Sequence, residues 1–210
     1  MDRLLTRTFP ASIAERVRAG EEGIVETSAE ATVVVAGLHG TAGMMRGGIG
    51  SLAQRLGDLW DRFDVLADTH GVETVKTTGA CYMAVVGLPG GRDDHARAAA
   101  SLALAMHEEG VRFAGEVNEP IRLRIGVHTG AAAVGMVSKR RLSFDVWGDA
   151  VETAQQLQFH AAPGSIQVTP ATYAHLRESH SFVSRGVVDI PGRGQMRTYL
   201  LQGFLETAQR

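Results

Sequence analysis

The stretch VETVKTTGACYMAVVG, residues 72–87, holds two runs rich in β-branched and aromatic residues on either side of Thr78-Gly79-Ala80. Glycine takes the positive backbone angles that a tight reversal demands, so the stretch predicts a β-hairpin. Upstream, ATVVVAG (residues 31–37) is a β-branched run ending in glycine, which predicts a buried strand closing at a turn. LHGTAGMMRGGIG (38–50) is too rich in glycine for a regular element. Beyond it, Leu52, Leu56, Leu59, Phe63 and Leu66 recur at spacings of four, three, four and three. Those spacings put all five on one helical face, and Gly71 supplies the stop.

Downstream of the hairpin, a helix is expected with Asp93 or Asp94 as its cap, Ala98, Leu102, Ala105 and Met106 on its inner face, and Gly110 as its end. IRLRIGVHTG (121–130) alternates apolar and polar residues, and AAAVGMV (131–137) reads as its hairpin partner across Gly130. GDAVETAQQLQFHAAPG (148–164) predicts a helix of about three turns with Asp149 near its start and Pro163-Gly164 past its end. SIQVT, a short helix at 171–178, FVSRGVVDI and MRTYLL complete the chain. The order is that of an α+β protein, and a ferredoxin-like βαββαβ core with helices on one face of a mainly antiparallel sheet is the simplest arrangement.

The composition bounds what such a domain does. Of 210 residues, 44% are apolar and 21% charged, and the formal net charge is -2. No chain-wide positive field exists to attract nucleic acid or anionic lipid. The basic run Lys139-Arg140-Arg141 reads as a solvated hairpin tip. A single cysteine, Cys81, excludes an internal disulfide framework and fits a reducing compartment. No run reaches the 18 or so apolar residues of a membrane span. The expectation is a cytoplasmic chain, or the cytosolic part of a longer protein, divided into a helix and charged connector (1–30), one domain (31–204) and a short tail (205–210).

Six blocks in order resemble the catalytic domain of class III adenylyl and guanylyl cyclases: VVVAGLHGT, VETVKTTGACYMAVVGLPG, LRIGVHTGAAAVGMV, FDVWGDAVETAQQLQ, PGSIQVT and GRGQMRTYLL. The first 30 residues look like the coupling segment that precedes such domains. The resemblance implies a domain that pairs head to tail, as a homodimer or with another cyclase domain. It implies composite sites in which two aspartates hold two Mg²⁺ or Mn²⁺ ions. In the resembling family a Lys and an Asp read the adenine, an Asn and an Arg support the transferring phosphoryl group, and the ribose 3′-oxygen displaces pyrophosphate from the α-phosphate.

Against that pattern the chain departs at four positions. Gly37 and Ala80 stand where the metal aspartates belong, Glu152 where the Asn belongs and Gln156 where the Arg belongs. Hard divalent cations need oxygen ligands, and neither glycine nor alanine offers one. Gln cannot supply guanidinium charge, and Glu adds a negative one beside a triphosphate. No metal cofactor is therefore expected, and the lone imidazole of His39 does not make a site. Lys76, Asp145 and Arg193 keep the positions that the resemblance assigns to the base and the triphosphate.

The reading is a catalytically silent, dimerising and ATP-binding regulatory domain. An adenylate cyclase that turns over weakly or only with an intact partner is a second reading, and an interaction module without nucleotide a third. Gly37, Gly40, Gly47, Gly48 and Gly50 are not followed by the Lys-Ser or Lys-Thr of a phosphate loop. Phe63, Phe144 and Trp147 are expected in the core.

Overall fold

A computed structural model describes residues 8–46, 48–136 and 143–205. In chain order it contains α1 (Ala11–Arg18), β1 (Val25–His39), a 3-10 turn (Thr41–Met45), α2 (Ile49–His70), β2 (Glu73–Thr78), β3 (Cys81–Val86), α3 (His95–Glu116), β4 (Arg122–Met136), β5 (Phe144–Trp147), α4 (Asp149–His160), β6 (Ser165–Val168), α5 (Pro170–Leu176), β7 (His180–Ile190) and β8 (Gly194–Phe204). The run Lys139-Arg140-Arg141 lies outside the described residues. No helix among the described residues is long and apolar enough to cross a membrane.

The strands form one sheet in the order β2-β3-β1-β4-β6-β8-β7, with β5 on the far end of β4. β4 and β6 run parallel, whereas every other pair is antiparallel. The first four strands with α2 and α3 are the expected βαββαβ core. Side chains alternate along β1: Val34 and Ala36 join Leu59, Phe63, Leu102 and Met106 of α2 and α3 on one face. Val33 and Val35 join Ile13 of α1 and Val151 and Ala154 of α4 on the other. Burial on both faces is why this strand reads as a continuous apolar run. It also corrects the expectation of helices on one face only, since α1 and α4 cover the second.

The hairpin forms as read, with Gly79 at φ 59° between β2 and β3, and Gly71 at φ 62° ends α2. Three other glycines read as terminators are not. β1 runs through Gly37 to His39 and turns at Gly40 (φ 84°), because β4 offers it partners as far as the His39–Arg122 pair. β4 is likewise one strand through Gly130, paired along β1 on both sides of a bulge between Ser28 and Ala31, so the hairpin expected there does not exist. α3 continues past Gly110 because the bare backbone admits the side chain of Leu123, which a Cβ there would meet at 2.6 Å.

Starts and connectors shift too. β1 begins at Val25, which shortens the connector after α1 to residues 19–24. Asp94 stands at the start of α3 without capping it, because its carboxylate holds Arg92 instead. Gly148, at φ 118°, occupies the cap position of α4, which leaves Asp149 in the first turn, where the helix N-terminus favours a negative charge. α5 spans Pro170–Leu176, two residues short of the expected end, and the Thr169 hydroxyl caps it by accepting from Thr172 N.

Candidate functional site

The β1–β3 register sets Gly37 opposite Cys81, and the Leu38 amide donates to the Ala80 carbonyl at 3.0 Å. The two positions that lack the expected carboxylates are thus neighbours at one end of β1. Gly37 is buried, and a Cβ on it would overlap the side-chain amide of Gln158 and lie 3.3 Å from Cys81 Sγ. Gln158 reaches this place because α4 rests directly on β4. At Gly126 a Cβ would strike the Ala154 carbonyl and the Gln158 amide of that helix. A glycine at 37 therefore seats a glutamine from the facing helix.

Two hard divalent ions do not fit this donor set. A carboxamide is neutral, and burial pushes the Cys81 thiol up, so at neutral pH it stays protonated and offers no thiolate. Nothing here balances the charge of two dications.

Beside Gln158 lies a cleft of about 610 Å³ lined by Lys76, Thr78, Cys81, Gln156, Phe159 and their neighbours. β2 bulges between Thr74 and Lys76, and the Lys76 ammonium meets both carboxylate oxygens of Asp145 on β5, at 2.7 and 2.8 Å. The Val146 amide also donates to Asp145, at 2.8 Å. The pair is half-exposed, with side-chain exposures of 37% and 23%.

Gln156 thus lies in the same cleft as Lys76. Glu152 and Arg193 are brought to each other instead, with Arg193 Nη2 3.2 Å from the Glu152 carboxylate and its Nη1 in close contact with Asp149. Phe63 and Phe144 are buried as expected, but Trp147, at the end of the short strand β5, is 38% exposed.

The sequence reading missed a chain of buried polar groups behind this site. His128 Nδ1 and Thr169 Oγ1 share a hydrogen bond of 2.8 Å, and Thr169 Oγ1 stands 3.3 Å from Thr172 Oγ1. Thr172 donates to Thr129 Oγ1 at 3.2 Å, Thr129 meets Thr32 at 2.9 Å, and Thr32 meets His95 Nδ1 at 2.8 Å. Burial, aided by the Arg193 charge, lowers the pKa of His128 to about 4, so it is neutral at physiological pH. The Asp149 carboxylate, 3.6 Å from His128 Nε2, does not reverse this because Arg193 already engages it. Two threonines inside apolar strand runs, Thr32 and Thr129, are the signal that was there to be read.

This chain belongs to the adenylate and guanylate cyclase catalytic domain family, whose sequence profile matches residues 25–203. An adenylate cyclase of Mycobacterium tuberculosis is 37% identical over 204 residues, covering 96% of this chain and 46% of that protein. The chain thus spans less than half the length of this curated relative. The guanylate cyclase domain of RhGC from Catenaria anguillulae, solved in complex with GTP, matches with a TM-score of 0.80 and 26% identity over 86% of this chain and all of that one. A non-canonical dimeric guanylyl cyclase domain of the RhoGC fusion protein from Blastocladiella emersonii gives a TM-score of 0.78 at 25% identity, over 86% of this chain and 99% of that one. The fold is that of a cyclase catalytic domain, with helices packed on a mostly antiparallel open sheet.

Proposed function

We propose that this cyclase-family domain forms no cyclic nucleotide by itself and acts as a dimerising regulatory domain that holds ATP. The observation that carries the reading is the juxtaposition of Gly37 and Ala80 at one end of β1, where the carboxamide of Gln158 fills the space a carboxylate at position 37 would need. The phosphoryl chemistry of the family depends on cations at that place. Loss of an arginine at such a transition state costs about 10³ to 10⁵ in rate, and Gln156 is neutral. Glu152 adds a negative charge and occupies Arg193.

Lys76 and Asp145 support a retained base site. A half-exposed ion pair is worth about 0–1 kcal/mol, so a purine edge with one acceptor and one donor separates the partners at small cost. Exposed Phe159 lines the cleft and exposed Trp147 ends β5, leaving apolar surface for a second cyclase domain to cover.

Calorimetry with ATP in the presence of a chelator tests the reading. Weak, adenine-selective binding that disappears in Asp145→Ala is expected. No heat and no chemical-shift change at millimolar ATP would leave an interaction module without a nucleotide.

A further inference from the structure

We propose that Glu30, His95 and His175 form a binding site for a divalent transition-metal ion of the zinc type, at the bulge of β1, seven residues before Gly37. Three elements converge there. Glu30 sits in the bulge of β1, His95 is the first residue of α3, and His175 lies in the last turn of α5. One ligand atom from each lies within 4.8 Å of the other two, and His175 Nε2 is 3.7 Å from Glu30 Oε1. Zn²⁺ with bonds of about 2.0–2.1 Å holds tetrahedral ligand atoms roughly 3.3 Å apart, so the set closes on an ion by small rotations. Glu30 and His175 are exposed and have room for them.

The buried member is already oriented. Thr32 Oγ1 lies 2.8 Å from His95 Nδ1, and when it accepts the Nδ1–H the lone pair of that ring falls on Nε2, free for an ion. A hydrogen bond of this kind fixes the tautomer of metal-binding histidines. The imidazoles meet edge to face, with centroids 5.2 Å apart, so neither ring is stacked over the other's nitrogens.

An open pocket of about 460 Å³ gives access and brings Asp93 to its wall as a further oxygen. Arg92, in that wall, is turned to Asp94 at 2.7 Å and to the Gly71 carbonyl at 2.7 Å. Two imidazoles and one carboxylate select Zn²⁺ over the oxygen-seeking Mg²⁺ and Ca²⁺, with water or Asp93 completing the shell. An ion so held would clamp β1, α3 and α5 together.

The test uses untagged, chelator-stripped protein titrated with Zn²⁺ in a calorimeter and in thermal melts, and with Co²⁺ in visible absorption. One equivalent of Zn²⁺ should bind and raise Tm, and Co²⁺ should give the intense bands of a four-coordinate site. His175→Ala, at an exposed position, should melt like wild type without metal and lose about 100-fold or more in affinity, and Glu30→Gln should weaken binding in the same direction. Absence of a Zn²⁺-dependent Tm shift in wild type, or unchanged binding in His175→Ala, would overturn the proposal.

Discussion

Two places along β1 treat cations in opposite ways. At Gly37 the fold brings side by side the two positions that the resemblance assigns to metal ligands, but neither residue has a donor side chain and a neighbouring amide fills the gap. At Glu30, seven residues and roughly 23 Å along the same strand, donors from three elements converge on a pocket, one of them held by a buried hydroxyl. What makes a cation site is the chemistry that converges there, not its address in the fold.

The sharpest way to break this contrast is to rebuild the depleted end. A protein carrying Gly37→Asp, Ala80→Asp, Glu152→Asn and Gln156→Arg should form cyclic AMP at about 10³ times background or more, less the cost of swinging the side-chain end of Gln158 away from a carboxylate at position 37. Adding Gln158→Ala removes that cost and should raise cyclic AMP formation by roughly tenfold more. Equal activity in the four- and five-change proteins would show that Gln158 is no obstacle.

A smaller effect tests how α4 is seated. Gly126→Ala places a methyl group against backbone atoms of α4, which cannot rotate away, and should cost about 3 kcal/mol in urea denaturation. Gly130→Ala meets only the His128 imidazole, at 2.9 Å, and should cost less. Equal losses would mean that the helix yields as readily as a side chain.

Acid should loosen the buried hydroxyl chain. His128 titrates at about 4 in the folded protein and near 6.5 when unfolded. Between those values the unfolded state binds more protons. The stability that neutral His128 supplies is therefore complete above about pH 6.5 and is lost as the pH falls toward 4, on the order of 3 kcal/mol in all. His95 and His180, also lowered by burial, steepen the slope. His128→Asn should flatten it, and wild-type stability that stays level from pH 7 to 5 would contradict the assignment.

Local signals made part of this molecule legible in its sequence. The Gly79 hairpin, the apolar stripe of α2 and its Gly71 stop depend on neighbours within a turn or two. Gly37, Gly110 and Gly130 misled because one letter serves both a positive φ and a close approach, and only the tertiary partner tells them apart. Gln158 and Leu123 are those partners for Gly37 and Gly110, and for Gly130 it is β1, along which β4 runs on unbroken. The chain of hydroxyls and the Glu30, His95 and His175 cluster stayed hidden for a similar reason, since the cluster's members stand 65 and 80 residues apart and the hydroxyl chain joins partners as far as 97 apart.

The most direct test of the account is cyclic AMP formation by the unaltered protein with ATP and Mn²⁺, set beside Lys76→Ala. Turnover no higher than in that variant is the predicted result. Robust product formation that Lys76→Ala abolishes would mean that the Gly37 end of β1 holds reactive cations after all.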